Sequence, residues 1–192
     1  SVIVSATRTD APTSAVGADI TVFSAVDIAR RDLVTIADVL RAAPGTTVVR
    51  TGGLGGQTSL FVRGGESNYN AVLLDGVPLN EPGGTFNFGH LTTEFVDHVE
   101  LVRGAQSALF GSDAMTSVVQ IITARATRGL SHPSLRASAE AGTYGSRRVN
   151  GSAGSAGDRW DGAIHVRRTD TDNRVPNNAF RDSTVVGSGG VM

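Results

Sequence analysis

The spacing of hydrophobic residues divides this chain into two stretches. As far as Thr123 they fall in short, nearly unbroken runs separated by glycine-rich or polar breaks; from Ser134 they alternate with polar residues. Unbroken runs predict strands covered on both faces, whereas period-two alternation predicts strands with one apolar and one polar face. In the first stretch Ile20–Ser24, Thr46–Arg50, Leu60–Val62 and Ala71–Leu74 read as strands, the last ending in the turn pair Asp75-Gly76. Ser24 and Thr35 are each followed three residues on by an aspartate, a helix-start pattern. Behind Thr35, Ile36, Val39, Leu40 and Ala43 form one apolar helix face, and Pro44-Gly45 stops that helix. Further on, Val99–Arg103 and Val118–Thr123 read as strands around a short helical turn at Ser107–Ala114. Two helices and several buried strands make a small α+β domain.

The second stretch carries a different signal. Leu135, Ala137, Ala139 and Ala141 alternate with Arg136, Ser138 and Glu140, and a second alternating segment runs near Val149 to Ala156. After a turn at Gly157-Asp158, Trp160, Gly162, Ile164 and Val166 alternate with polar residues, and a fourth strand starts near Ser183 beyond a loop at Thr171–Asp182. Segments of this length and period mark outer-membrane barrel strands, with Trp160 and Tyr144 placed where interface aromatics belong. The apolar face is rich in alanine and glycine, so the signal is modest, and a soluble β-meander is the alternative for this part alone.

Composition narrows the chemistry. The 192 residues carry a formal net charge of −1 and no dense basic run, which argues against nucleic acid as a partner. Cysteine is absent, and the four histidines show no metal-ligand spacing, so no metal and no cofactor is expected. The cluster Gly52–Gly56 runs into a strand, not a helix, so it lacks the context of a phosphate loop; it reads as a flexible loop. Glu94, Asp97 and His98 read as a polar face of a short helix, and Asp75 as a turn residue. No catalytic residue is assigned. Arg103 and Glu100 stand within or beside apolar runs, where a charge needs a partner.

Four motifs occur in order: Arg63-Gly64; Leu73-Leu74-Asp75-Gly76-Val77-Pro78-Leu79-Asn80; Val99-Glu100-Leu101-Val102-Arg103-Gly104; and Ala108–Ala114 leading into Val118–Thr123. With Ile36–Gly45 upstream, this ordered set closely resembles the plug domain of TonB-dependent outer-membrane receptors, nearest to the cobalamin-transporter type. The likeness covers roughly Ser1 to Arg125. Two departures from the family pattern stand out: Thr116-Ser117 where Gly-Gly is usual, and Gln120 where Asn is common.

The resemblance implies an energy-coupling region over 1–9, a plug over 10–128, and the first strands of a transmembrane barrel over 129–192, the barrel incomplete. Within it Val2, Ile3, Val4, Ser5 and Ala6 resemble the TonB box, a strand offered to the sheet edge of a TonB-type energy-transducing protein in the periplasm. Arg63 and Arg103, with Glu100, are implied to interlock the plug with acidic residues on the barrel wall. Leu54, Gln57, Asn80, Phe86, Asn87 and Phe88 lie in the loops implied to face a large ligand, such as cobalamin or a ferric siderophore. Four strands cannot close a barrel, so a longer receptor in contact with outer-membrane lipid is implied. The readings to be weighed against transport are a soluble binding or signalling module reusing the plug, and an α+β enzyme whose turnover would depend on Asp75 or His98.

Overall fold

The computed structural model describes residues 17–124, 133–157 and 159–191, with the backbone of 2–3 and 11–12. It divides into two compact units, Ser1–Thr51 with Gln57–Thr123, and Gly52–Gly56 with Ala124–Met192.

The first unit begins with two short strands, β1 (Val2–Ile3) and β2 (Ala11–Pro12), paired antiparallel. Strand β3 (Asp19–Ser24) leads directly into helix α1 (Ala25–Arg30). Helix α2 (Ile36–Arg41) follows, and both helices start with capping boxes, at Ser24/Asp27 and Thr35/Asp38. These boxes satisfy backbone donors that such short helices would otherwise leave open. The apolar face of α2 is fully buried and packs on the hairpin of β4 (Thr46–Arg50) and β5 (Thr58–Val62). Gly45, at φ +73°, makes the reversal after α2 in a conformation that a side chain would strain.

Next come β6 (Asn70–Leu74), β7 (Val77–Pro78), β8 (Val96–Arg103), the helical turn α3 (Ser107–Phe110) and β9 (Ser117–Thr123). They join β3 in a five-stranded sheet of order β3-β8-β9-β6-β7, in which only β6 and β9 run parallel. Val99, Leu101 and Val102 of β8 and Val118, Val119 and Ile121 of β9 are all buried, which is why their runs are unbroken. Asp75 and Gly76 form the β6–β7 turn with φ of 48° and 85°. Asp75 also accepts from Thr123 N at 2.9 Å and Thr123 Oγ1 at 2.6 Å, so its carboxylate secures the end of β9.

One expectation in this unit is corrected. Glu94, Asp97 and His98 do not share a helix: Glu94 lies in a turn, and Asp97 and His98 lie on β8. A register shift between Val96 and His98 breaks the period of the strand there, and that break hid it from the sequence pattern.

The second unit is a four-stranded antiparallel sheet of β10 (Ser134–Ala141), β11 (Arg147–Ala156), β12 (Trp160–Thr171) and β13 (Phe180–Val191), in chain order. Cross-strand rows such as Leu135–Ala153–Ile164–Gly187 and Ala137–Gly151–Val166–Val185 make one face apolar. The alternate rows, Ser138–Asn150–Arg167–Thr184 and Glu140–Arg148–Thr169–Asp182, make the other polar. The apolar rows give way to the Arg168–Asp170 ion pair towards one end, and Trp160 stands at the other. The fourth strand starts at Phe180, three residues earlier than Ser183, and the preceding loop shrinks to residues 172–179. Phe180, Asp182 and Thr184 share the polar face, so the start of this strand has no apolar alternation to reveal it.

Candidate functional site

The two arginines singled out in the sequence meet at one carboxylate. Antiparallel pairing sets Asp19, the first residue of β3, opposite Arg103, the last of β8. Arg103 donates from Nε to Asp19 Oδ2 at 3.0 Å and from a terminal nitrogen to Oδ1 at 2.5 Å, with a further contact to the Pro44 carbonyl at 3.4 Å. Arg63, just past β5 and at φ +52°, donates to the same Oδ2. The Arg103 side chain is only 6% exposed, against 51% for Arg63. The hydrogen bond from Arg103 holds the Asp19 carboxyl below the usual aspartate range. Acidic partners on an enclosing wall are thus not the only ones open to these arginines: this chain supplies one.

Glu100 stands apart from that cluster. It is fully buried on β8, opposite Gln120 of β9, with His98 Nε2 3.1 Å from its carboxylate and His98 Nδ1 2.7 Å from Asp97. The bond to Glu100 raises the His98 pKa above its ordinary value, and burial opposes this. A raised folded-state pKa contributes stability that is complete below about 6.5 and lost as pH rises through the folded value. Amides of β8 and β3 should therefore lose protection between pH 6 and pH 9, once intrinsic exchange rates are removed. Hydrogen exchange measures this, and His98→Gln should abolish the difference.

The six loop residues separate into two kinds. Asn80 accepts from Val72 N at 2.7 Å and donates to the carbonyls of Asn70 at 3.0 Å and Gly84 at 2.7 Å, so its amide is committed to the fold. Asn87 accepts from Thr58 N and Gly89 N, and Phe88 is 2% exposed, meeting Phe86 edge-on with ring centres 4.8 Å apart. Leu54, Gln57 and Phe86 keep accessible surface.

Leu54 is anchored within the second unit. Asn173 accepts from Leu54 N at 3.0 Å and donates to its carbonyl at 3.1 Å, copying a strand partner with a side-chain amide. Beside it lies a hollow of about 390 Å³ whose walls include Leu54, Tyr144, Arg148, Thr169, Asn173 and Arg174. The Thr169 hydroxyl is buried there with no hydrogen-bond partner. An orphaned buried hydroxyl is costly unless a ligand or water completes it.

In the N-terminal segment, Val2 and Ile3 pair with Pro12 and Ala11; Val4, Ser5 and Ala6 lie outside the described residues, as does His132. Among the described residues no group of three or more acidic, histidine or cysteine side chains could hold a metal. No helix there is long and apolar enough to cross a membrane, which says nothing about strands.

Besides Asp19, sequence reasoning missed Asn70. Its amide donates to the carbonyls of Leu60, Glu66 and Ser67 and accepts from the hydroxyls of Thr116 and Ser117. This also accounts for the departure at 116–117. Thr116 and Ser117 have no positive φ, and their hydroxyls close on Asn70 while the Thr116 methyl occupies the space beside Gly65. A single polar residue opening an apolar strand is the only signal the sequence offers for it.

A mixed sheet with short capped helices, followed by antiparallel strands that are apolar on one face and polar on the other, defines a plug-type domain joined to barrel-type strands. The TonB-dependent Receptor Plug Domain model matches residues 12–118. The chain belongs to that family. It is 38% identical over 122 residues to the vitamin B12 transporter BtuB of Vibrio vulnificus (strain CMCP6), a match covering 64% of this chain and 20% of that protein. The chain thus spans about a fifth of the length of that curated relative. Among solved structures it superposes on the pyoverdine outer membrane receptor FpvA of Pseudomonas aeruginosa PAO1 with a TM-score of 0.83 at 20% identity, over 98% of this chain and 27% of that one. The alcaligin outer membrane receptor FauA of Bordetella pertussis gives 0.77 at 19% identity, over 97% and 31%.

Proposed function

We propose that this chain is the energy-coupling segment, plug and first barrel strands of an outer-membrane receptor that imports a scarce, large ligand. The 1–9, 10–128 and 129–192 divisions are carried into this reading as segment, plug and barrel strands. The observation that carries it is the four-stranded sheet that follows a plug of this family. Its exposed apolar rows end at the Arg168–Asp170 pair on one side and Trp160 on the other, the banding that a lipid-facing wall requires. Cobalamin or a ferric siderophore is the cargo this reading assigns, by analogy with what the relatives carry.

Leu54, Gln57 and Phe86 are the loop residues this reading leaves open to ligand, and within the second unit the hollow beside Leu54 takes part of it. A volume of about 390 Å³ holds only a portion of so large a molecule, so further contacts come from barrel segments beyond this chain. Asn80, Asn87 and Phe88 shape the loops from beneath. Binding favours the conformation in which the N-terminal segment is released, and a TonB-type protein captures that segment as an added strand and pulls. Only a difference in ligand affinity between the two conformations can drive the release.

Proline at position 4 tests the coupling, because it removes a backbone donor from a segment meant to join another sheet. In the full-length receptor Val4→Pro should reduce uptake of labelled cyanocobalamin or ferric siderophore to background while equilibrium binding stays within about twofold. Normal uptake by this variant would remove the box assignment.

A further inference from the structure

Asp19 joins three separated parts of the first unit with one carboxylate: the start of β3, the end of β8 through Arg103 and the exit of β5 through Arg63. Among the described residues strand β3 is an edge strand whose only sheet partner is β8. Its ladder begins at the Asp19–Arg103 pair and runs to Ser24–His98. Tension arriving from the N-terminal side therefore reaches Asp19 before any other residue of β3. From there an edge strand peels one ladder bond at a time.

We propose that Asp19 is a force-sensitive latch, a positioning residue that resists the peeling of β3 and sets the tension at which the five-stranded sheet begins to open. Its bonds are unlike the ladder bonds behind it. Charge-assisted hydrogen bonds are roughly twice as strong as neutral ones, and Arg103 holds Asp19 with two. Arg103 is also nearly buried, so drawing Asp19 away leaves a guanidinium in poor solvent, with the Pro44 carbonyl as its remaining hydrogen-bond partner among the described residues. The exposed Arg63 adds less, as surface ion pairs do. Once Asp19 leaves, the two arginines that shared it as a counter-ion face each other without it, which adds to the cost of opening and draws the carboxylate back unless tension holds it away. The latch thus opens only above a threshold tension and recloses when the tension is released.

The role of this threshold in transport rests on the reading that tension enters through the N-terminal segment. The latch itself is tested without that reading, by pulling the full-length receptor in a bilayer through a handle on its N-terminus. At constant force, once the short β1–β2 pair has opened, Asp19→Asn should shorten the lifetime of the first step of sheet opening by about tenfold or more, the worth of one charge-assisted bond. Later steps should keep their lifetimes. Asp19→Glu should recover part of the loss, and Arg63→Ala should shorten the first step less than Asp19→Asn does. An unchanged first step in Asp19→Asn overturns the latch, as it would if wall acids held both arginines instead. Equal shortening of all steps overturns it too, since that marks general destabilisation. The handle replaces the partner, so a weakened first step in a receptor that takes up no ligand would keep the latch and remove the transport reading. Normal uptake with an unchanged first step would do the reverse.

Discussion

Asn70→Leu is expected to destabilise the first unit by about 3–4 kcal/mol, among the largest effects a single substitution produces here. Leucine keeps the branched skeleton with the same number of heavy atoms, but it is bulkier and makes no hydrogen bond. Three carbonyls, of Leu60, Glu66 and Ser67, lose a donor, and the Thr116 and Ser117 hydroxyls lose their shared acceptor. Ser117 is fully buried, so water cannot take over. Each stranded buried group costs about 1–3 kcal/mol, and some will relax into new contacts, which holds the total below the plain sum. Asn70→Asp separates the two halves of the network. It keeps an acceptor for the two hydroxyls but sets a carboxylate against three carbonyl oxygens, and should be as harmful. Hydrogen exchange of β6 and β9 amides in the full-length receptor measures both variants. Protection within about threefold of the parent in Asn70→Leu would show that the network adds little.

What the sequence made legible was whatever is encoded locally. Both capping boxes, the Pro44-Gly45 stop and the Asp75-Gly76 turn depend on residues at most three apart, and all four form as read. The buried strands were legible because both of their faces are covered, so each residue in a run reports the same fact. What stayed hidden depends on partners far along the chain. Asp19 lies 84 residues from Arg103 and 44 from Arg63, and nothing near it in sequence marks it as their counter-ion. The resemblance directed attention to partners on a wall instead. Asn80 and Phe88 are tied to the fold for a related reason: a loop between strands looks open in sequence, yet its own backbone must be satisfied and its underside filled, and the Asn80 amide does the first and the buried Phe88 ring the second.

Gly55→Ala is expected to unseat the Leu54 loop and to weaken ligand binding by about tenfold to a hundredfold, the equivalent of roughly 1.4–2.8 kcal/mol. Two separate penalties act at this position. The backbone has φ of +82°, which costs a residue bearing a Cβ about 1–2 kcal/mol. The new Cβ would also lie 2.0 Å from a ring carbon of Phe180, closer than any real contact. The ring is buried at the start of β13, so it has little room to yield. Relief requires the loop to move, and movement breaks the pairing of Leu54 with Asn173 on which the wall of the hollow depends. This is the physical content of the Gly52–Gly56 cluster: its glycines permit close approach, since Gly53 likewise leaves only 2.5 Å between a would-be Cβ and Asn173. A double-mutant cycle divides the two penalties. Phe180→Ala in the Gly55→Ala background should restore the part due to the clash and leave the part due to φ, giving a coupling energy of about 1 kcal/mol or more. Affinities of the full-length receptor for labelled cyanocobalamin and for a ferric siderophore supply the measurement. If Gly55→Ala binds whichever of them the parent binds with undiminished affinity, the seated loop does not shape the ligand site.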